Sequence, residues 1–175
     1  RAVLRAKGER GERLGAWIAD GYMRDPDEAK HIVPNPETAP VVKHIFEMYA
    51  SGIGIKRICG TLEQEKVLSP GVYNYRKNGS LSRNLKLDKP YAWANNTIRK
   101  MLSNQIYCGD TVNFKTYSKS NKLKKRIKNA PEKMKIFSNT HEAIIDRATF
   151  DLVQKHFEGR KRADKRGELD KYAGY

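Results

Sequence analysis

The 175-residue sequence lacks most features that define membrane, fibrous or disulfide-stabilised proteins. Its two cysteines, Cys59 and Cys108, are far apart and form no Cys-x-x-Cys pair, so neither a zinc site nor a disulfide framework is expected. No apolar run approaches the roughly 20 residues of a membrane-spanning helix, and no apolar signal segment opens the chain. We therefore expect a soluble, cytoplasmic protein with no membrane partner, in which Cys59 packs in the core.

The residue patterns of common catalytic and metal sites are absent as well. No histidine belongs to a His-Glu-x-x-His motif or a cluster with cysteine, and neither standard glycine-rich phosphate loop occurs. We expect surface or capping roles for the histidines, and no catalytic residue, metal or cofactor in this chain. The histidines are His31, His44, His141 and His156.

Positive charge is what the chain has in excess, and it is concentrated in one stretch. The net charge is +15, and residues 71–135 hold 16 Lys and Arg against 3 Asp and Glu. Charge kept for solubility alone would be spread along the chain, so this stretch is a candidate contact for a polyanion. The alternative is a solvated loop without a partner. The most basic part contains Lys122, Lys124, Lys125, Arg126 and Lys128.

Apolar periodicity predicts a mainly helical α+β domain. The segments with apolar residues at three- and four-residue spacing are 36–51, 55–66, 96–103 and the stretch after Asp146, which is a good N-cap. β-forming residues at 106–114 and 134–137 predict a short two-stranded ribbon around a basic loop. We expect residues 1–13 to be an extended or frayed basic arm, 14–36 to be irregular and 71–92 to be a long loop.

The helices at 55–66 and 96–103 are expected to form a helix-turn-helix-like pair with an unusually long insert, the second helix entering the major groove of DNA. Asn95 or Asn96 is the expected cap of that helix. The candidate readers of bases are Asn95, Asn96, Thr97, Arg99 and Lys100. The candidate contacts to the DNA backbone are Arg76, Lys77, Lys122, Lys124, Lys125 and Arg126. Arg10 and Arg13 are further candidate DNA-binding residues, because they belong to the arm that is expected to run along DNA.

Two other functions fit part of the sequence. The charge and the tyrosines of residues 71–135 also allow an RNA-binding or ribosome-associated module. A metal-dependent nuclease is disfavoured because the chain has no carboxylate cluster.

Three segments resemble the recombinase domain of the large serine recombinases, the family of phage integrases and transposon resolvases. They are PNPETAPVVKHIFEMYASG at 34–52 followed by IKRI at 55–58, NTIRKMLSNQIYCGD at 96–110, and NTHEAIIDRATF at 139–150. Their order and spacing extend the resemblance over residues 1–160. The final DKYAGY at 170–175 is similar to the lead-in of the zinc ribbon in transposon-type members.

The resemblance implies a parent enzyme that cuts and exchanges two DNA duplexes through a phosphoserine–DNA linkage, without a high-energy cofactor. Residues 1–13 would be a basic linker or arm from a preceding catalytic domain, 14–160 the DNA-binding domain, and 161–175 a linker toward a zinc ribbon. The arm would lie near the minor groove. The implied partners are double-stranded DNA, at an attachment-site or transposon-end half-site, and other recombinase subunits, contacted through domains outside this chain.

Overall fold

The computed structural model describes residues 2–15, 17–28, 31–81, 85–118 and 126–159. Within these ranges the α-helices are α1 (Ala2–Glu9), α2 (Ala39–Ala50), α3 (Ile55–Gln64), α4 (Pro70–Asn78), α5 (Asn95–Leu102) and α6 (Arg147–Gly159). The antiparallel strand pairs are β1 (Tyr22–Arg24) with β2 (Ile32–Pro34), β3 (Thr111–Asn113) with β6 (Lys135–Phe137), and β4 (Thr116–Ser118) with β5 (Arg126–Lys128). Short 3₁₀ helices lie at Gln105–Cys108 and Pro131–Lys133. The predicted α+β class is confirmed.

Helix α2 is the centre of the core because it packs against α3, α5 and α6. Its apolar residues recur at helical spacing and are buried, Ile45 and Phe46 completely. The Phe46 ring lies edge-on to Tyr107, with 5.7 Å between ring centroids. Cys59 of α3 is buried in the same cluster, as predicted. None of the helices in the described ranges is long and apolar enough to span a bilayer.

A glycine stop positions α3 against α2. Gly52 adopts a left-handed conformation with φ of +91°, and its N–H donates to the Tyr49 carbonyl at 3.0 Å. The Ile53 N–H donates to the Met48 carbonyl at 3.1 Å, which completes the hydrogen-bond pattern of a Schellman motif. The chain therefore reverses within a few residues and α3 begins at Ile55.

Residues 2–9 form α1, so the prediction of an extended or frayed arm is wrong for this segment. An ion pair between Arg5 and Glu9, at 3.0 Å, connects successive turns of the helix. The C-terminal end of α1 is held by the buried Asn113 of β3, whose side-chain amide donates to the carbonyls of Gly8 (3.1 Å) and Glu12 (2.9 Å). The sequence could not indicate this helix, because its partner lies about 100 residues away.

Two other segments predicted as irregular contain regular elements. Residues 14–36 include the β1–β2 hairpin, whose three-residue strands are too short to show alternating polarity. Residues 71–92 begin within α4, which has Pro70 in its first turn and ends at the left-handed Gly79. Among the residues of α4 only Val72 is buried, so no apolar period is visible in the sequence.

The predicted ribbon is confirmed as the β3–β6 pair, but its first strand begins later than expected. The Asn104 side chain caps a 3₁₀ helix, Gln105–Cys108, by accepting a hydrogen bond from the Ile106 N–H. The basic segment between the two strands contains a second pair, β4–β5. Residues 119–125 of that segment lie outside the described ranges.

Candidate nucleic-acid interface

Helix α5 has one apolar and one polar face, as the sequence predicts. Ile98 and Leu102 are fully buried, and Met101 is nearly so. The exposed residues of the opposite face are Asn95, Asn96, Arg99 and Lys100, and Thr97 is half-buried. The exposed face therefore carries amide and cationic groups on a rigid element, which is the chemistry that reads base edges in the major groove.

Helix α3 packs against α5 and fixes its first residue. The Cys59 thiol donates a hydrogen bond of 3.3 Å to the side-chain oxygen of Asn95. The N-cap of α5 is Ala94, which makes no side-chain cap, so the expected capping by Asn95 or Asn96 is wrong. Asn95 lies inside the first turn, where its side-chain oxygen is oriented by Cys59.

The helix-turn-helix-like pair has basic residues on its first helix that sequence reasoning missed. Lys56 and Arg57 are exposed in the first turn of α3. In a docked helix-turn-helix the first helix crosses the DNA backbone, where such cations contact phosphates. The signal was present in the sequence, because Ile55, Ile58 and Leu62 define the apolar face and leave positions 56 and 57 on the other side.

Helix α4 carries two of the residues predicted to contact the DNA backbone, Arg76 and Lys77, and their environments differ. Arg76 is exposed and makes no hydrogen bond or ion pair to the described residues. Lys77 donates to the Tyr73 hydroxyl at 2.9 Å and to Glu37 at 3.2 Å, and these partners raise the pKa of Lys77. Because Glu37 already balances Lys77, Arg76 has the more available positive charge.

The two arginines of the arm are also partly engaged within the protein. Arg10 forms an ion pair with Glu12 at 2.9 Å. Arg13 donates to the Trp17 carbonyl at 2.6 Å, and burial, followed by the nearby positive charge of Arg24, lowers the pKa of Arg13. The Arg13 guanidinium is therefore half-buried and bonded within the protein, unlike an arginine on a fully exposed arm.

The predicted basic loop is described only at its end. Arg126 begins β5 and is exposed. Lys122, Lys124 and Lys125 lie outside the described residues.

A cavity of about 490 Å³ separates α4 from the segment that leads into β1. Asp20 lines it, and burial raises the pKa of the Asp20 carboxyl to about 6, although the Asn74 side chain donates a hydrogen bond to it at 3.4 Å. Over the described parts of the chain, no three His, Cys, Asp or Glu side chains come together as a metal site.

Comparisons with known proteins find one matching family model and similar solved structures. A family model described as Recombinase matches residues 36–160. A solved structure described as the crystal structure of an LSR–DNA complex superposes with a TM-score of 0.53 and 18% identity, over 90% of this chain and 39% of that chain. A second structure, described as concerning the sequence requirements of the Listeria innocua prophage attP site, superposes with a TM-score of 0.53 and 19% sequence identity. The match covers 100% of this chain and 58% of that chain.

The present chain spans about two fifths of the length of the first structure and about three fifths of the second. At sequence identities below 20%, these similarities show that the fold is shared. No curated protein matches the sequence.

Proposed function

Because the chain belongs to the recombinase family, we propose that it is the sequence-reading DNA-binding domain of a large serine recombinase. The observation that carries the proposal is the exposed face of α5, which holds amide and cationic side chains on a helix fixed by α3. The similar structure described as an LSR–DNA complex supports the choice of DNA as the ligand.

In the proposed complex, α5 enters the major groove and α3 lies across the backbone. An arginine such as Arg99 can donate two hydrogen bonds to guanine, and an asparagine such as Asn96 can make two with adenine. Lys56, Arg57 and Arg76 supply positive charge for phosphates, which gives affinity without sequence preference.

The parent protein is proposed to exchange DNA strands through a serine nucleophile of a separate catalytic domain, outside residues 1–175. The division into an arm (1–13), a DNA-binding domain (14–160) and a linker (161–175) is part of this proposal, as are contacts to other recombinase subunits and a cytoplasmic location. In this arrangement the present domain selects the half-site and the catalytic domain cuts it.

The test begins with selection of bound duplexes from a random library in the presence of competitor DNA. Arg99→Ala and Asn96→Ala are then expected to cost about 1–3 kcal/mol on the selected site and little on random duplex, because base contacts carry discrimination. Lys155→Ala on α6 is the control, since Lys155 is also exposed but lies on a different helix.

Equal losses on selected and random duplexes would remove α5 from the reading role. Stronger binding to RNA than to any duplex would contradict the proposed function as a whole.

A further inference from the structure

Two neighbouring asparagines at the start of α5 have different environments. Asn95 and Asn96 are both exposed. The Asn95 Oδ1 accepts a hydrogen bond of 3.3 Å from the Cys59 thiol. Over the part of the chain that the structure describes, the Asn95 Nδ2 and the whole Asn96 carboxamide have no hydrogen-bond partner. The two residues are chemically identical, but only Asn95 is held in one orientation.

The thiol that holds Asn95 is itself held by the core. Cys59 is buried on α3, between Ile58 and Leu62, both of which are fully buried. Because α3 packs against α2 and α5, the thiol has a fixed position relative to the first turn of α5. Orienting Asn95 against a partner that is already ordered costs less conformational entropy than orienting it against a mobile surface group. Cys59 is therefore a rigid partner for the Asn95 carboxamide.

The chemistry of the thiol decides which end of the carboxamide faces inward. Burial raises the pKa of the Cys59 thiol, so the thiol keeps its proton at neutral pH and acts as a donor. A carboxamide turned the other way would offer its N–H to sulfur, which is a weak acceptor, and would leave the thiol proton unpaired. With Oδ1 turned inward, the group that Asn95 presents outward is the Nδ2 donor.

The base edges of the major groove respond differently to such a donor. Guanine presents two acceptors, N7 and O6, and thymine presents the O4 acceptor. The two-bond contact of asparagine with adenine requires a donor and an acceptor together, and cytosine presents only a donor, its N4 amino group. A carboxamide restricted to donating therefore fits guanine and thymine, does not make the paired contact with adenine, and leaves the cytosine amino group unpaired.

We propose that Cys59 is a positioning residue of the DNA-reading surface, which restricts Asn95 to donating and so makes Asn95 select guanine or thymine in place of adenine. The inference rests on the proposed function and assigns a base class to one position of the site. Arg99 lies four residues after Asn95 on the same exposed face, and its guanidinium also only donates. Asn96 has no such restriction and keeps both orientations for adenine.

The test compares the motifs that variants of the 175-residue chain select from a random duplex library, after a thermal melt shows that each variant folds. Asn95→Ala is expected to abolish the base preference at one position and thereby locates it. At that position, Cys59→Ala is expected to lower the ratio of guanine or thymine to adenine by about fivefold, the factor that one net hydrogen bond contributes. Cys59→Ser keeps a donor and is expected to keep the preference. Cys108→Ala is the control, because Cys108 is also buried but lies outside α3 and α5.

NMR of the free chain adds a readout that does not depend on DNA. The side-chain amide signals of Asn95 are expected to shift in Cys59→Ala and to stay in place in Cys108→Ala. An unchanged motif in Cys59→Ala, or an equal loss of preference at every position, would overturn the role of Cys59 while the proposed function stood.

Two further outcomes come from the unmodified chain and do not require a Cys59 variant to fold. Adenine at the position located by Asn95→Ala would contradict the donor-only orientation of Asn95. Failure of the unmodified chain to select any motif would overturn the proposed function itself, and the role of Cys59 with it.

Discussion

Two aspartates, the fully buried Asp110 and the half-buried Asp20, have pKa shifts of opposite direction. The Asp110 side chain is fully buried, which by itself would raise its pKa, but Arg147 donates two hydrogen bonds to it at 2.7 and 2.9 Å. Gln105 adds a third at 2.7 Å, and the net pKa of Asp110 lies below its ordinary value. Asp20 has only the weaker bond from Asn74, so burial dominates and its pKa is about 6.

Replacement of Asp20 by Asn is expected to stabilise the protein at neutral pH by about 1–3 kcal/mol, because the variant avoids a buried charge. A carboxyl whose folded pKa is raised contributes stability that is complete below its unfolded pKa and is lost as pH rises through the folded pKa. In the unmodified protein this loss falls between about pH 4 and pH 6. Chemical denaturation at several pH values measures it, and an unchanged pH profile in Asp20→Asn would contradict the assignment.

Replacement of Asp110 by Asn is expected to have the reverse effect. A carboxyl whose folded pKa is depressed contributes stability above its unfolded pKa of about 4, and that stability is lost as pH falls through the folded pKa. The variant should be less stable than the unmodified protein at pH 7 and should lose less on acidification. Arg147→Met provides the matched case, since it leaves the carboxylate in place without its partner. If Arg147→Met were as stable as the unmodified chain in denaturant titrations at pH 7, the pair would be unimportant for stability.

At the scale of elements, the docking of α1 depends on tertiary contacts and only weakly on helix propensity. Gly8 is buried at its C-terminal end, and a Cβ there would lie 2.6 Å from side-chain atoms of Leu14 and Phe114. The Asn113 amide donates to the Gly8 carbonyl of this turn and to the Glu12 carbonyl of the segment that follows α1. The position of the arm is therefore determined by β3.

Asn113→Leu keeps a similar volume but removes the side-chain donor to the Gly8 and Glu12 carbonyls. Since a lost hydrogen bond costs about 1 kcal/mol or somewhat more, we expect a loss of roughly 1–3 kcal/mol and faster hydrogen exchange in α1 than in the unmodified protein, with little change in α2. Ala6→Gly, at an exposed position of α1, is the control and lowers helix propensity by about 1 kcal/mol without touching the contact. Unchanged exchange in Asn113→Leu would show that the docking does not depend on these bonds.

The elements that could be predicted from the sequence are those whose own residues show an apolar period or a helix cap. Helices α2, α3 and α5 each bury a stripe of apolar side chains, and Asp146 caps α6 by accepting from the Thr149 N–H at 2.8 Å. α1 and α4 bury one residue each, and both are hydrogen-bonded to residues more than 30 positions away in the sequence.

The same limit applies to the candidate site. The polar face of α5 follows from periodicity, but the pairing of Lys77 with Glu37 joins residues 40 positions apart. The orientation of Asn95 by Cys59 crosses 36 positions, and neither contact leaves a local pattern.

At the scale of the whole molecule, the positive charge is concentrated in one stretch of the sequence. Nearly all of the net positive charge lies in residues 71–135, while the α2 region between residues 36 and 70 has equal numbers of basic and acidic residues. Under the proposed function, residues 71–135 would supply most of the long-range attraction to DNA, and a few positions of α5 within that stretch would supply the discrimination.

A triple variant, Lys124→Gln, Lys125→Gln and Arg126→Gln, tests this separation. It is expected to weaken binding to selected and random duplexes by the same factor and to flatten the salt dependence by about one log–log unit per lost phosphate contact. Titrations at two or more salt concentrations measure both quantities. An unchanged slope would mean that the basic loop is solvated, and a loss confined to the selected site would assign it to base reading.

The contact between Asn113 and the end of α1 also fixes the rotation of α1 about its own axis. An α-helix turns by about 100° and rises about 1.5 Å with each residue. One residue inserted before Gly8 would therefore swing the exposed Val3 and Leu4 a quarter of a turn or more around the helix axis, while the anchored end stayed in place. The number of residues before Gly8 therefore determines the direction in which Val3 and Leu4 point. Four inserted residues would nearly restore the original direction, whereas one or two would not.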